Sequence, residues 1–425
     1  MDFSAIEKIT LENGLRIMLL PDDSARSACI SIWVGSGTRF EQPGTAGVSH
    51  FIEHMLFKGT QSRTARDIAE ETDRIGGNFN AYTTKEYTCY YARALDSHIP
   101  LALDVLCDML TAPKFSAEDM DTERGVILEE IGMYEDSPED LLADTLYGSV
   151  WRDNMLGANI LGTRETVTKM TADDLRAHMA EQYTGSRIVC AVSGHYDRAA
   201  VLSKLEATLG ALPRGVMPYD ADEAGYHPDS VTAERDFEQL HLALCFPAFS
   251  IDDKRKYIIS IFNMICGGTS SSRLFQRVRE ELGLAYSVGS SVSACLKEGI
   301  FCVDAAINPE NDQAALSEIV RVLCRLKSDG VTRDEVERAK DQLKASIIMG
   351  LEGYASAAAH MGRSELIRGR VSTEDEIISA VDSITAEQVN DIARQIVDFD
   401  KFSLCATGKV RPSNYYSGIV LKSII

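Results

Sequence analysis

Alternating apolar and polar residues at the start of the chain predict β-strands. The segment KITLENGLRIMLL places Asn13-Gly14 between two apolar runs, which is a strong signal for a β-hairpin. CISIWVGSG continues with the same alternation. NAYTTKEYTCYYARAL, in which Thr, Tyr and Ala recur at alternate positions, predicts one long strand, and RIVCAVSGHY predicts another.

Between these strands the spacing of apolar residues becomes helical. In GVSHFIEHMLFKG, the side chains of Phe51, Met55 and Leu56 share one side of the predicted helix. A second helix is predicted near 65–75 with a C-cap at Gly76-Gly77, and further helices in IPLALDVLCDML and AEDMDTERGVILEEIGMYE. Strands and helices alternate, but the hairpin implies an antiparallel or mixed sheet. The predicted fold class is therefore α+β.

Weak internal similarity at a fixed spacing predicts a duplicated architecture. Three pairs of segments share an offset of 214 positions (385 − 171, 337 − 123 and 408 − 194): Thr-Ala-Asp at 171–173 with Thr-Ala-Glu at 385–387, Glu123-Arg124 with Glu337-Arg338, and Gly194 with Gly408. The polar stretch LPRGVMPYDADEAGYHPDS, which contains Pro and Gly, is typical of a linker. We predict two homologous domains at 1–215 and 236–425, each a sheet with helices, joined by a linker at 216–235.

Composition argues against several classes of function. The formal charge of −21 disfavours nucleic-acid binding, which needs clustered Lys and Arg. No apolar run is long enough to span a membrane, and the start MDFSAIEKIT resembles neither a secretory signal nor a presequence. The ten cysteines form no CxxC pair and lie mostly in apolar segments, so we expect buried reduced thiols and a cytoplasmic location.

Residues 50–54 read HFIEH and are the strongest candidate for chemistry. On a helix, His50 and His54 are four residues apart, so both imidazoles project from one face and can bind one metal ion. Glu53 lies beside them and can face a water molecule on that ion. Zinc prefers imidazole and carboxylate ligands, and a catalytic zinc site has three protein ligands and one open position. The alternative is a helix with two ordinary histidines.

A third ligand must come from another segment. The segment TERGVILEE offers Glu123 and Glu130 two turns apart on one helical face, with apolar Val126 and Ile127 between them. A helix with this spacing could pack against the first one and place a carboxylate on the metal. Spacing alone leaves Glu123, Glu129 and Glu130 open as the ligand, and a solvated acidic helix remains the alternative.

The motifs HFIEHMLFKGT, GGNFNAYTTKEYT and ERGVILEEI resemble the pitrilysin–insulinase family of metallopeptidases, whose HxxEH signature inverts the commoner HExxH. The resemblance covers essentially the whole chain and is strongest to the mitochondrial-processing-peptidase subfamily and its bacterial relatives. It implies one Zn²⁺ per chain on His50, His54 and Glu130. It further implies Glu53 as general base, with Glu123 supporting the catalytic site, and no role for Glu129.

The same resemblance implies substrate contacts in both halves. The strand at Asn80, Ala81, Tyr82 and Thr83 corresponds to the family's edge strand, which pairs with the substrate backbone. In SSRLFQRVREELGLAYSV, the resemblance implies that Arg273 and Tyr286 bind substrate carbonyls. The alternatives are a covered strand, a surface arginine and a core tyrosine.

The second half lacks the candidate ligands. An offset of 209, which aligns Phe57-Lys-Gly-Thr60 with Cys266-Gly-Gly-Thr269, places Ile259, Phe262 and Asn263 at the positions of His50, Glu53 and His54. The offset of 214 places Lys344 at the position of Glu130. All candidate ligands are lost together, so we expect the second domain to bind substrate and not zinc.

These observations predict a zinc-dependent endopeptidase that hydrolyses unfolded or presequence-like peptides. Family members enclose substrate between two clam-like halves of two domains each. A two-domain chain that carries both the zinc motif and the Arg/Tyr segment suggests a homodimer around a chamber. The alternative function is a non-catalytic structural, assembly or peptide-binding subunit of the same fold.

Overall fold

The computed structural model describes residues 2–216 and 221–424. The chain forms two compact units: unit 1 comprises Met1–Ile131, Ala158–Ala221 and Ile348–Glu374, and unit 2 comprises Gly132–Gly157, Asp222–Ile347 and Asp375–Ile425. Each unit contains one sheet with packed helices, as the α+β prediction requires. Across the described residues, every helix is too short or too polar to cross a bilayer.

The strands among the described residues are β1 (Glu7–Thr10), β2 (Arg16–Pro21), β3 (Ser27–Val34), β4 (Asn78–Thr83), β5 (Thr88–Leu95), β6 (Ile188–Gly194), β7 (Ser230–Glu234), β8 (Leu240–Ala248), β9 (Ala285–Ala294), β10 (Gly299–Ile307) and β11 (Ser403–Gly408). The α-helices are α1 (Val48–Leu56), α2 (Ala65–Ile75), α3 (Ile99–Thr111), α4 (Ala117–Asp136), α5 (Pro138–Val150), α6 (Arg164–Lys169), α7 (Ala172–Gln182), α8 (Arg198–Ala207), α9 (Lys256–Asn263), α10 (Asp312–Asp329), α11 (Arg333–Gly350), α12 (Tyr354–Arg368), α13 (Glu374–Asp382), α14 (Ala386–Ile396) and α15 (Ser413–Ser423).

The sheet of unit 1 has the order β1-β2-β6-β3-β5-β4, with β2 and β6 parallel and the other neighbours antiparallel. The hairpin predicted at Asn13-Gly14 is confirmed, because β1 pairs with β2 around it. The single long strand predicted in NAYTTKEYTCYYARAL is wrong. A turn closed by the Thr84 N–H and the Tyr87 carbonyl (2.8 Å) folds it into β4 and β5.

One face of this sheet joins α1, α3 and α4 in a continuous apolar core. Helix α12 packs against β3 and β6 of the same sheet. Its Gly362 lies against the indole of Trp33, where an added Cβ would be 2.2 Å from the ring nitrogen. Glycine is therefore required at this contact, because a side chain there would force the helix away from the sheet.

The sheet of unit 2 has the order β7-β11-β8-β10-β9, with β7 and β11 parallel. Helix α5 packs against β8 and β11. Within the predicted linker at 216–235, residues 230–234 form β7 and pair with β11. Its residues 217–220 lie outside the described residues.

The compact units exchange one helix each relative to the predicted division of the chain. Helix α5 comes from the first half of the sequence but buries Leu142, Leu146 and Val150 in a cluster of unit 2. Helix α12 comes from the second half of the sequence but belongs to unit 1. Periodicity shows that such a helix needs an apolar partner and does not show which one. The roles predicted for 1–215 and 236–425 stay predictions.

The predicted duplication is visible in backbone details. Thr171 and Thr385 both cap a helix through a capping box, at the start of α7 and α14. Gly194 and Gly408 end β6 and β11 with φ of 111° and 112°, in the left-handed region that favours glycine. The two halves therefore keep the same backbone features at equivalent positions, namely a capping box at a helix start and a left-handed glycine at a strand end.

The cysteine prediction is wrong for one pair. Cys245 on β8 and Cys302 on β10 lie directly opposite each other, with Cα atoms 4.2 Å apart, and form a disulfide. The other eight cysteines form no disulfide. The two partners are 57 residues apart in sequence, so their proximity depends on a strand register that spacing does not reveal.

The contact between Gly362 and Trp33 gives a test of the packing in unit 1. We expect Gly362→Ala to lower the free energy of unfolding by about 1–3 kcal/mol, because the added methyl overpacks the indole. Gly418→Ala in α15 is the matched control, since nothing lies within 4 Å of its Cβ position. It should raise stability by up to about 1 kcal/mol. Thermal and urea unfolding measure both; equal stability of the two variants would contradict the assignment.

Candidate metal centre

Helix α1 presents two imidazoles and a carboxylate at the border of the unit 1 core. Its apolar side, including Phe51 and Met55, is buried in that core. His50 and His54 lie on the adjoining side, with ring centroids 4.6 Å apart. The burial of the apolar residues thus fixes the direction in which both rings point.

Helix α4 supplies the carboxylate that faces these rings. Ile127 and Ile131 are buried in the same core, whereas Val126 is exposed. One oxygen of Glu130 lies 3.6 Å from Nε2 of His50 and 3.6 Å from Nε2 of His54. The donor atoms of these three residues all lie within 4.8 Å of one another.

Glu123, two turns before Glu130 on α4, fixes the second imidazole. Its carboxylate is buried and accepts a hydrogen bond from Nδ1–H of His54 at 3.1 Å. Its other oxygen lies 2.6 Å from the ammonium of Lys58. This arrangement leaves Nε2 of His54 free to face Glu130. Glu129 is exposed. The sequence analysis did not identify Lys58, although its position four residues after His54 indicated that it lies near the same site.

Electrostatics set the protonation of the three groups. Burial, with the neighbouring His54, lowers the pKa of His50 to about 4, so its ring is neutral at pH 7. The interaction with the ring of His54, whose Nε2 lies 3.6 Å away, lowers the pKa of Glu130. Burial opposes protonation of His54, but the carboxylates of Glu130 and Glu123 outweigh it and raise the pKa of His54. A metal ion at this site would compete with a proton for the Nε2 atom of His54.

The donor set fits a zinc ion. Two imidazole nitrogens and one carboxylate are the ligands that zinc prefers in hydrolytic sites, where a fourth position stays open. In residues 2–216 and 221–424, these are the only clustered His, Cys, Asp and Glu side chains arranged to hold an ion. A closed structural site normally has four protein ligands.

Glu53 lies on α1, the helix of the two histidines, and is hydrogen-bonded to the sheet of unit 1. Its Oε2 accepts a hydrogen bond from the hydroxyl of Thr83 at 2.5 Å. Burial raises the pKa of Glu53, and the hydrogen bond from Thr83 partly offsets that rise. A half-buried carboxylate with a raised pKa is suited to exchange protons near neutral pH.

Thr83 belongs to β4, which is the last strand of the unit 1 sheet. The predicted residues Asn80, Ala81, Tyr82 and Thr83 therefore lie on an edge strand, and no strand of the described chain pairs with its outer side. The backbone groups on that side can accept an added strand. Their role in substrate binding stays a prediction.

Arg273 and Tyr286, the two residues of the second half that are predicted to bind substrate, differ in their surroundings. The guanidinium of Arg273 binds both carboxylate oxygens of Glu335 (2.8 and 2.9 Å) and the carbonyl of Gly330 (2.8 Å). These partners occupy much of its hydrogen-bonding capacity. Tyr286 is 73% exposed at the start of β9, the edge strand of unit 2. Both assignments stay predictions.

In the second half, the residues at the positions equivalent to the proposed site are engaged in core packing and in polar contacts within the fold. Ile259 and Phe262 on α9 are buried in the unit 2 core, and the side chain of Asn263 accepts a hydrogen bond from Ser290 (2.7 Å). Lys344 binds Asp382 at 2.8 Å. None of these four groups is a common zinc ligand.

Known families match both halves of the chain. The description "Insulinase (Peptidase family M16)" matches residues 16–164, and "Peptidase M16 inactive domain" matches residues 169–343. The uncharacterized zinc protease YmxG of Bacillus subtilis is 40% identical over 395 residues, which cover 93% of this chain and 96% of that protein. An uncharacterized zinc protease of Streptomyces coelicolor is 39% identical over 92% of this chain and 87% of its own length.

Solved structures show the same fold at lower identity. A protease from Helicobacter pylori superimposes with a TM-score of 0.85 at 19% identity, covering 95% of this chain and 99% of that one. A Pseudomonas fluorescens structure described as a peptidase M16 inactive domain gives 0.88 at 19% identity, covering 96% and 99%. From these matches over nearly its full length, the chain belongs to the insulinase family of zinc metallopeptidases, peptidase family M16.

Proposed function

We propose that this protein is a zinc-dependent endopeptidase that hydrolyses unfolded or presequence-like peptides. The observation that carries the proposal is the convergence of His50, His54 and Glu130 beside the carboxylate of Glu53. The names of the relatives support peptidase chemistry at the level of the family. The cytoplasmic location and the processing type of activity are part of the proposal.

In this mechanism, the three donor groups would hold one zinc ion, which supplies polarisation of the scissile carbonyl and acidification of a water molecule. Glu53 takes the proton from the attacking water. Thr83 already binds Oε2 of that carboxylate, so Oε1 is the atom available to receive the proton. Glu53 then gives the proton to the leaving amine. Glu123 holds the ring of His54 through Nδ1 during these steps.

Substrate binding follows from the edge strand. A peptide that adds to the outer side of β4 forms backbone hydrogen bonds that do not depend on its sequence. Because Thr83 of this strand binds Glu53 directly, a peptide paired there lies next to the general base. Only an extended segment can pair in this way, which favours unfolded peptides. The net charge of −21 favours basic ones.

A non-catalytic subunit is the second candidate function. The fold matches a chain of Complex III2 from Candida albicans with a TM-score of 0.83 at 18% identity, covering 98% of this chain and 100% of that one. This match concerns the fold alone. The donor groups and Glu53 favour the peptidase, since a subunit that only binds or assembles has no need of them.

Replacing the general base separates these candidates. We expect Glu53→Gln to lower kcat by about 10²–10⁴-fold, because the amide cannot accept the proton. Its zinc content should equal that of the wild type, since Glu53 is not in the donor set. Cleavage of a quenched peptide library and metal analysis of the purified protein measure both. Unchanged cleavage by this variant would reject the mechanism.

Replacing the carboxylate ligand tests the metal site without an activity assay. Glu130→Gln should weaken zinc binding by more than about 100-fold, since even partners of ligands change affinity by 10–100-fold. Glu129→Gln is the matched control, because it removes the same charge from the neighbouring, exposed position. Competition with a chromophoric chelator measures both affinities. Equal losses in the two variants would point to a general charge effect and against the ligand assignment.

The homodimer around a chamber is also a proposal. One chain carries two of the four domains that the family's clam-like enclosure contains, so a second copy should complete it. We expect sedimentation velocity to show a dimer at the concentrations used for activity assays. Activity that resides in a purely monomeric peak would contradict the proposal.

A further inference from the structure

The helix that carries the proposed zinc ligands has no capping side chain of its own. Its N-cap residue is Gly47, which has φ of +92°. A Cβ at this position would lie 2.5 Å from the carbonyl oxygen of Leu161. Both the backbone conformation and the close approach exclude the Ser, Thr, Asp or Asn that usually caps a helix. The first N–H groups of α1 therefore need an acceptor from elsewhere.

Glu41 provides that acceptor from the preceding loop. One of its oxygens accepts the N–H of Gly47 at 2.7 Å, and the other accepts the N–H of Ser49 at 2.9 Å. The residue is only 4% exposed. Burial raises the pKa of Glu41, while the two backbone hydrogen bonds favour its ionised form. A carboxylate at this end of a helix also interacts favourably with the helix dipole.

A second connection holds the same turn of α1. The hydroxyl of Ser49 lies 3.3 Å from Nε2 of His178 on α7, and the hydroxyl of Ser36 lies 3.0 Å from the same nitrogen. Burial lowers the pKa of His178 to about 4, so the ring is neutral and can accept at Nε2. Ser49 directly precedes His50, so both connections act on the turn that carries the first proposed ligand.

The loop that carries Glu41 also contacts the edge-strand hairpin. The N–H of Arg39 donates to the carbonyl of Lys85 at 2.8 Å, and its guanidinium binds Glu86 at 2.9 Å in a buried ion pair. Lys85 and Glu86 belong to the turn between β4 and β5. One loop therefore connects the start of α1 with the strand proposed to bind substrate.

The second half of the chain does not keep this carboxylate. The offset of 209 that relates α1 to α9 places Ser250 at the position of Glu41. The same half also has no equivalents of His50, His54 and Glu53. At the start of α9, which carries no ligands, Asp253 accepts the N–H of the N-cap residue Arg255 at 2.7 Å, whereas Glu41 binds two N–H groups at the start of α1.

We propose that Glu41 is a positioning residue of the metal centre, which holds the first turn of α1 so that His50 faces Glu130. This inference rests on the proposed function, because it assumes that these residues bind zinc. Glu41 contacts neither the donor atoms nor the expected substrate. It acts through two backbone N–H groups of the ligand-bearing helix.

The test compares zinc affinity with stability in three variants. Glu41→Gln keeps the shape but turns an amide NH₂ towards one of the two N–H groups. Glu41→Asp keeps the charge, but its side chain is too short to reach both N–H groups. This variant replaces Glu41→Gln in the test if Glu41→Gln folds poorly. Glu365→Gln is the matched control, because Glu365 is a buried carboxylate of unit 1 that binds Lys8 (2.7 Å) and Arg16 (3.4 Å). Chelator competition measures zinc affinity and thermal unfolding of the zinc-free protein measures stability.

We expect Glu41→Gln to weaken zinc binding by about 10–100-fold, with Glu41→Asp between it and the wild type. Glu365→Gln should lower the melting temperature and leave zinc affinity within twofold. Glu41 variants that lose stability but keep wild-type zinc affinity would overturn the inference and leave a structural cap. A wild-type protein that binds no zinc would instead reject the proposed function.

Discussion

The site depends on two helices that bury their apolar sides in one core. Helix α1 contributes Phe51 and Met55, and helix α4 contributes Ile127 and Ile131. Once these residues are buried, the polar borders of both helices have to meet, and His50, His54 and Glu130 come together there. Burial disfavours the charged form of His50, so the position of this buried polar group is maintained by the apolar packing beside it.

The sequence predicted which side chains cluster better than it predicted the connections of the chain. Spacing placed His50 and His54 on one helical face, but it left three glutamates open, and only the resemblance favoured Glu130. The structure distinguishes them by burial and direction: Glu123 faces Nδ1 of His54, Glu130 faces both Nε2 atoms, and Glu129 is exposed. A one-residue step on a helix changes direction by about 100°, which a seven-residue spacing cannot reveal.

Two errors of the sequence analysis share a physical origin. The disulfide between Cys245 and Cys302 and the exchange of α5 and α12 both depend on contacts between segments that are not adjacent in sequence. The turn at Thr84–Tyr87 is local, and the alternation of residues on both sides of it concealed it. Local propensity and periodicity describe what each segment needs to bury. They do not identify the partner that buries it, since several apolar surfaces of the same chain could do so.

The exposed edge of β4 is the feature that most needs a functional explanation. An unpaired edge strand is prone to association with other chains, and natural sheets usually cover or charge it. The residues of β4 are uncharged, from Asn78 to Thr83, and no described strand covers them. Thr83 on this strand binds the carboxylate of Glu53. An open edge next to the carboxylate of Glu53 supports the proposal that a peptide pairs with this strand.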